Sequence, residues 1–550
     1  MEHSTIKKMT RRQFVKLAVA VSAGAAAGLP ILDVRAGETG AREKYPVVII
    51  GGGMGGLTAG AYLARHGFPV TLLEQHDKPG GYATSFDRDG GRFTFEVSLH
   101  ATSKGFIDRI MAELGAEGEV QTIKLPELAR LMTKQGEIVM PQADPEGCIK
   151  AFVEKYPENE EGISGFIGDM LAIAKEGEKP FDQDSWWQKL IFPLTHRTMW
   201  NVRKKTLADM FDEHELSGPA RNVLASWWGY YGLPPSMLSG FYYAIATGQM
   251  MRHPAGYIKK RSQDLSWSLA EVIEKNGGKV FLETAAKAIS IKSDQVTGVT
   301  ASDGTTYAAR AVLSNASVPD TLKMLPREEV PKDYLGKISK YTASLSTFLV
   351  WLGLKEDITP RVPGYEYFFG ADSDPEEDYR RAMACDAKET SLGITIYDNA
   401  YPGYSRTGTS TVCLIILSGY KPWKKFEADY LSGRKGAYNQ QKDRIARILI
   451  ERAEELLIPG LKELIQVKEA ATPLTNLRYT RNPGGAIYGY NQTIDNAYMT
   501  RLKNKTPIRG LYFASAWGNP GGGYVGAMMG GRNCFRSLMH DWGFKVLSSS

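Results

Sequence analysis

Apolar and polar positions follow one another along the chain in blocks of changing period. Residues 47–50 are apolar without a break, a glycine cluster fills 51–56, and 57–66 then repeat with helical period until Gly67. A second apolar run at 70–73 ends on Glu74. Unbroken apolar runs bounded by turn residues suit strands covered on both faces, so this opening predicts a β-α-β unit. Residues 101–270 are rich in aromatic rings and largely helical in pattern, whereas 277–282 resume strand-like alternation, followed by short strand-like runs within 289–299 and 311–315. Further strand-like runs lie at 346–352, 412–417 and 511–514, with an amphipathic helix over 443–457 and a last helix over 526–539.

This order predicts an α/β protein with a Rossmann-like nucleotide-binding domain assembled from three separate segments, 45–100, 271–330 and 481–545. The intervening stretches, 101–270 and 331–480, are expected to build an α+β substrate domain. A length of 550 residues agrees, being more than one hydrophobic core commonly serves.

The N-terminus is read separately. Thr10-Arg11-Arg12-Gln13-Phe14-Val15-Lys16 precedes an apolar run from 17 to 32 that Gly24, Gly28 and Pro30 interrupt, too short and broken for a spanning helix. Residues 1–36 therefore resemble a twin-arginine export signal, which implies a periplasmic protein translocated already folded and loaded. The segment holds six basic residues against Glu2 and Asp33, so its removal leaves a net charge near +2 of the chain's +6. That balance argues against a nucleic-acid partner. Cys148, Cys385, Cys413 and Cys534 form no CxxC pair, so no zinc ribbon or other metal site and no thiol redox motif is expected, and spacing does not fix disulfide pairing.

The glycine cluster carries the first chemistry. Gly51-x-Gly53-x-x-Gly56 follows a strand and opens a helix, with Met54 and Gly55 between the spaced glycines. The first glycine permits the turn, the second lets a pyrophosphate approach the backbone, and the third lets helix and strand pack closely. Glu74 stands where a carboxylate would accept hydrogen bonds from ribose hydroxyls. The pattern alone fits NAD or FAD. A second glycine pair, Gly80-Gly81 before Tyr82 and Ala83, suits a ligand that continues past its pyrophosphate, as FAD does. A further formal GxGxxG, at Gly521, Gly523 and Gly526, leaves fewer than 30 residues after it, too few for another nucleotide unit. It reads instead as a turn into the last helix, with the amides near Val525 and Gly526 facing the flavin's pyrimidine edge and stabilising its reduced, negative form. Ala286, in the middle segment, is placed with the cofactor as well.

With these pieces together the sequence resembles the phytoene desaturase, carotenoid isomerase and retinol saturase family, among the amine-oxidase-like flavoproteins. The matching stretches are VVIIGGGMGGLTAGAYLARHGFPVTLLEQHDKPGG at 47–81, GGRFTFEVSLH at 90–100, TPLTNLRYTRNPGGAIYG at 472–489 and GLYFASAWGNPGGGYVGAMMGG at 510–531. The resemblance implies FAD, no separate nicotinamide domain, and chemistry that adds, removes or isomerises double bonds of isoprenoids. Two departures stand out. Phe95-Glu96-Val97-Ser98 replaces the family's Phe-Asp-x-Gly, and Pro254-Ala255-Gly256-Tyr257 replaces its Pro-x-Gly-Gly; both are expected where substrate and flavin meet.

Hydride chemistry at a flavin needs a water-excluding pocket and few polar groups. His100 is the first candidate for proton donation or substrate positioning, and Tyr488 the second. The aromatic runs at 227–231 and 241–243 are candidates for a tunnel wall or for plain core packing. The stretch 186–205 mixes Trp186, Trp187 and Trp200 with Arg203, Lys204 and Lys205 as interfacial segments do, which predicts peripheral membrane contact. Two other readings remain open: a flavin amine oxidase, and a non-catalytic electron-transfer flavoprotein of a periplasmic redox complex. NADPH is not expected outside the cytoplasm, so some other electron donor or acceptor is required, with a quinone and a cytochrome as candidates.

Overall fold

In the computed structural model, which describes residues 42–179, 186–498 and 500–544, the stretch 1–36 that resembles an export signal lies outside the described residues. The strand Val47–Ile50 is buried at every position. It occupies the middle of a five-stranded parallel sheet whose order is Lys279–Phe281, Val70–Leu73, Val47–Ile50, Ala311–Ser314, Leu511–Phe513. These strands come from all three segments assigned to the nucleotide-binding domain. The helix Met54–Arg65 follows the glycine turn and packs between Ser262–Lys275 and Gly523–Asp541. Ser262–Lys275 thus crosses the boundary placed at residue 270 and serves the nucleotide-binding layer.

A seven-stranded sheet forms the second centre. Its order is Ile465–Ala471, Ser346–Leu354, Ser410–Ser418, Leu392–Ile396, Glu366–Phe369, Ala129–Thr133, Gly136–Met140. The last two strands fall in the stretch expected to be largely helical. They are five residues each and only partly buried, too short to set up a clear alternation. Side chains alternate across this sheet. Phe348, Val350, Leu352, Val412, Leu414 and Ile394 point into a core completed by the helix Gly436–Leu456. The opposite face mixes Leu349, Trp351, Ile415 and Leu417 with polar positions such as Thr347, Glu366 and Glu469, and these side chains border a cavity.

All four cysteines are buried and unpaired. Among the described residues, no helix is long and apolar enough to cross a membrane.

Candidate active site

The cavity begins at the glycine turn and has a volume of about 1570 Å³. At the turn, the Gly80 amide donates to the Gly52 carbonyl at 2.7 Å, so the second glycine pair is stitched to the first. Gly80 and Gly81 have φ of 128° and 60°, which side chains rarely tolerate. Glu74 is buried at the end of its strand, and its two oxygens accept from the Gly52 amide at 2.6 Å and the His76 amide at 2.9 Å. Each oxygen keeps a lone pair for a further donor such as a ribose hydroxyl.

The sequence-derived cofactor residues divide into two groups. Gly51, Gly53, Met54 and Glu74 line the cavity, as do Gly80, Gly81, Tyr82 and Ala83; Ala286 borders its nucleotide end and Gly523 its inner end. Gly55, Gly56, Val525 and Gly526 are not part of the wall. A Cβ on Gly55 would overlap the Ala514 carbonyl, and one on Gly56 would overlap the Gly51 carbonyl, so both act by letting the helix come close. The final helix starts at Gly523, about one turn earlier than the sequence pattern suggested, so Gly523, Tyr524 and Ala527 face the cavity and Val525 turns away. Gly526 packs on its own turn, where a Cβ would stand 2.8 Å from the Gly521 carbonyl. These residues fit FAD: they supply a glycine cradle for the pyrophosphate, a carboxylate for the ribose, and a helix N-terminus beside the inner end of a continuous cavity.

Beyond Tyr82 and Gly523 the cavity continues over the free face of the seven-stranded sheet. Leu349 and Trp351, Ile415 and Leu417, and Phe368 project into it from three strands, while Trp228 and Tyr230 cover it from the 3₁₀ turn Ser226–Tyr230. Of the two aromatic runs, the first thus contributes to the wall. Phe241 and Tyr243 are packed in the core instead.

One polar cluster interrupts this apolar bed. His100 is buried, and its Nδ1 lies 2.9 Å from the Thr395 hydroxyl and 3.5 Å from Glu366 Oε1. The Tyr230 hydroxyl donates to Glu366, reaching its two oxygens at 3.1 and 3.2 Å. Thr395 and Glu366 are direct partners on neighbouring antiparallel strands. Burial pushes the His100 imidazole down to about 4 and the Glu366 carboxyl up to about 7. Tyr488 lines the cavity too, but its hydroxyl donates to the Gly229 carbonyl at 3.0 Å, and burial holds its pKa well up. Glu366 escaped the sequence reading. A signal was present: a lone carboxylate in the aromatic run 365–369, on a strand apolar in every other respect, is costly to bury without a purpose.

Of the residues that depart from the family pattern, Glu96 and Tyr257 stand behind the cavity wall and Ser98 stands in it. The Tyr257 hydroxyl donates to Glu96 Oε2 at 3.2 Å, so the two changes answer each other. Glu96 also accepts from the Ser262 amide at 2.9 Å and from the Ser262 hydroxyl, while Arg261 lies 3.6 Å over the Tyr404 ring beside them. Neither Glu96 nor Tyr257 lines the cavity; both are fully buried behind it. Ser98 does reach the wall, and its hydroxyl donates to the Tyr82 carbonyl at 2.8 Å.

A glycine-cradled dinucleotide site opening into an apolar reaction chamber defines the class: this is an FAD-dependent oxidoreductase. The family model described as flavin containing amine oxidoreductase matches residues 54–534. The chain belongs to that family, within its phytoene desaturase, carotenoid isomerase and retinol saturase-like members. It is 25% identical over 532 residues to the all-trans-retinol 13,14-reductase of Homo sapiens, covering 90% of this chain and 86% of that protein. It is likewise 25% identical over 539 residues to the chloroplastic prolycopene isomerase of Arabidopsis thaliana, with 92% and 85% covered. Among solved structures, an oxidoreductase from Methanosarcina mazei superposes with a TM-score of 0.59 at 15% identity, over 90% of this chain and all of that one. A putrescine oxidase bound to putrescine gives 0.60 at 14%, over 90% and 99%. At such identities the structural likeness speaks for the fold.

Proposed function

We propose that this flavoenzyme saturates, desaturates or isomerises a C=C or C–C bond of a hydrophobic, isoprenoid-like molecule. The observation that carries this reading is the bed formed by Leu349, Trp351, Phe368, Ile415 and Leu417, long and apolar, with a carboxyl and an imidazole placed at one point on it. When bound, the flavin supplies hydride transfer; the chain's own residues exclude water, hold the substrate flat against the sheet and manage protons. Retinol and prolycopene, the compounds in the relatives' names, are polyenes that such a bed would suit. The test is anaerobic: protein with its flavin reduced is mixed with all-trans-retinol or a poly-cis carotenoid in detergent micelles. Flavin reoxidation with matching loss of polyene absorbance, or a changed isomer, is expected. Peroxide release from small amines, with no polyene touched, would put a flavin amine oxidase in its place.

The same reading includes export to the periplasm on residues 1–36, a quinone or cytochrome as electron partner, and collection of substrate from a bilayer. Leu190 and Leu194, on the helix Trp186–Thr195, are 72% and 82% exposed, more than any other large hydrophobic side chain described. The Arg203 guanidinium lies 3.4 Å over the Trp200 ring close by, and Lys204 is exposed. Apolar side chains beside cations suit an anionic membrane surface. The Leu190→Glu, Leu194→Glu double variant is expected to stop co-flotation with phosphatidylglycerol-containing vesicles while leaving the flavin spectrum unchanged. Undiminished flotation of that variant would remove the membrane contact from the reading.

A further inference from the structure

Glu366 shares the largely apolar face of the sheet with the substrate bed; Glu469, on the edge strand Ile465–Ala471 opposite Trp351, also reaches that face but is part-exposed and ion-paired with Arg88 at 2.6 Å. Glu366 reaches that face because it alternates with Tyr367, whose ring enters the opposite core, and lies in register with Phe368 two residues on. Its neighbours hold it in place without neutralising it. Tyr230 donates to its two oxygens from the 3₁₀ turn, and Thr395 stands 3.5 Å away on the adjacent strand. Among the described residues, its only basic neighbour within 4 Å is His100.

From these contacts we infer that Glu366 is the acid–base group of the reaction, exchanging a proton with the substrate carbon next to the one that exchanges hydride. Tyr230, Thr395 and His100 are positioning residues. The assignment rests on the reading that a C=C bond reacts. In the saturating direction, hydride forms a C–H bond at one alkene carbon, and the π electron pair forms a C–H bond at the other with the proton of Glu366. The substrate gains two electrons from the reduced cofactor, and Glu366 is left as a carboxylate that solvent reprotonates. Desaturation is the reverse, with the carboxylate taking the proton.

The surroundings leave Glu366 as the group that changes charge near neutral pH. Tyr365 beside it, Tyr230 above it, Tyr488 across the cavity and the Cys413 thiol on the strand Ser410–Ser418 are all pushed far up by burial. His100 is pushed the other way, to about 4, and is neutral. Glu366, held up to about 7, keeps its proton where an exposed carboxyl would have lost it.

Two measurements test the role. The first is infrared spectroscopy of the flavin-loaded protein: a protonated-carboxyl stretch that fades as pH rises through about 7 is expected in the wild type and absent in Glu366→Gln. The second is single-turnover oxidation of the reduced protein by all-trans-retinol. The wild-type rate is expected to fall about tenfold per pH unit above about 7, because reduction consumes the protonated form. Glu366→Gln should retain flavin, lose about 10²–10⁴-fold in rate and lose that pH dependence, with partial recovery in Glu366→Asp. A wild type that turns over while Glu366→Gln matches its rate and pH profile overturns the role alone. Absence of the Glu366-dependent infrared band between about pH 5 and 9 also overturns it. A wild type that leaves every polyene untouched overturns the substrate reading, and this role with it.

Discussion

Replacing Gly55 by alanine is expected to abolish recovery of flavin-loaded protein. The added Cβ would overlap the Ala514 carbonyl oxygen, and it would stand 2.8 Å from both the Ala514 carbonyl carbon and Asn315 Oδ1. Two of these atoms are backbone at the end of the strand Leu511–Phe513, so no rotamer change relieves the clash. The helix Met54–Arg65 would have to lift from the sheet, and the cradle at Gly51 and Gly53 would lift with it. Overpacking in a core commonly costs about 1–3 kcal/mol; a clash against fixed backbone exceeds that and approaches the whole stability of a domain, on the order of 5–15 kcal/mol. Gly531→Ala should behave alike, since its Cβ would overlap the Gly55 carbonyl from the last helix. Gly105→Ala, with open space around it, is the control and should leave flavin content unchanged. Flavin absorbance per purified chain is the readout, and a normally loaded Gly55→Ala protein would refute the packing argument.

Arg501→Met should be nearly as damaging by a different route. Arg501 is buried and donates to five carbonyls: Tyr490 at 2.7 Å, Ala516 at 2.9 Å, Gly518 at 3.2 Å, and Asn491 and Asn496 at 3.3 Å. Burial lowers its pKa to about 10, which still leaves it charged at neutral pH. The guanidinium therefore works as a knot tying the chain around 490–496 to the turn at 516–518, whose Ala516 and Trp517 line the cavity. Methionine fills much of the volume and offers no donor. Each carbonyl left unsatisfied in the interior costs about 1–3 kcal/mol, so a loss of several kcal/mol and a sharp fall in flavin affinity are expected. Thermal unfolding followed by flavin fluorescence measures both. Arg501→Lys should recover only part, because an ammonium has three donors and no planar fork. A methionine variant that unfolds within a degree or two of the wild type would show that water replaces the guanidinium.

The nucleotide-binding half was legible because its signals are contiguous. The run at 47–50, the spaced glycines and Glu74 lie within 28 residues, and each has a local consequence: a buried strand, a close helix, a carboxylate at a strand end. Gly55 and Gly56 show where that legibility ends. The spacing gives Gly56 its packing role, but Gly55 is an unspecified position of the pattern, and only the fold shows that it too must lack a side chain for the helix to approach. The start of the last helix is a similar case, because glycines at 521–523 carry no apolar repeat from which a boundary can be read.

The substrate side was much less legible. Strands with a long unbroken apolar run, such as Ser346–Leu354, read the same whether their second face meets a core or a cavity. His100 stood out as a lone imidazole after a matched motif. Tyr230 stood out only as part of an aromatic run, and Glu366 and Thr395 not at all, since the three lie on different elements. The departures at Glu96 and Tyr257 misled in the same way, for 161 residues separate two groups that share a hydrogen bond.

The sequence by itself determined the cofactor class, the elements of the nucleotide-binding segments and the family, since each depends on residues adjacent along the chain. Tertiary structure alone decided which face became a reaction chamber, which carboxyl stands beside the His100 imidazole, and which departing residues share a hydrogen bond. Those properties belong to contacts between distant segments. Pairing of strands 130, 366, 395 and 415 in one sheet creates them, and no local pattern of residues encodes that pairing.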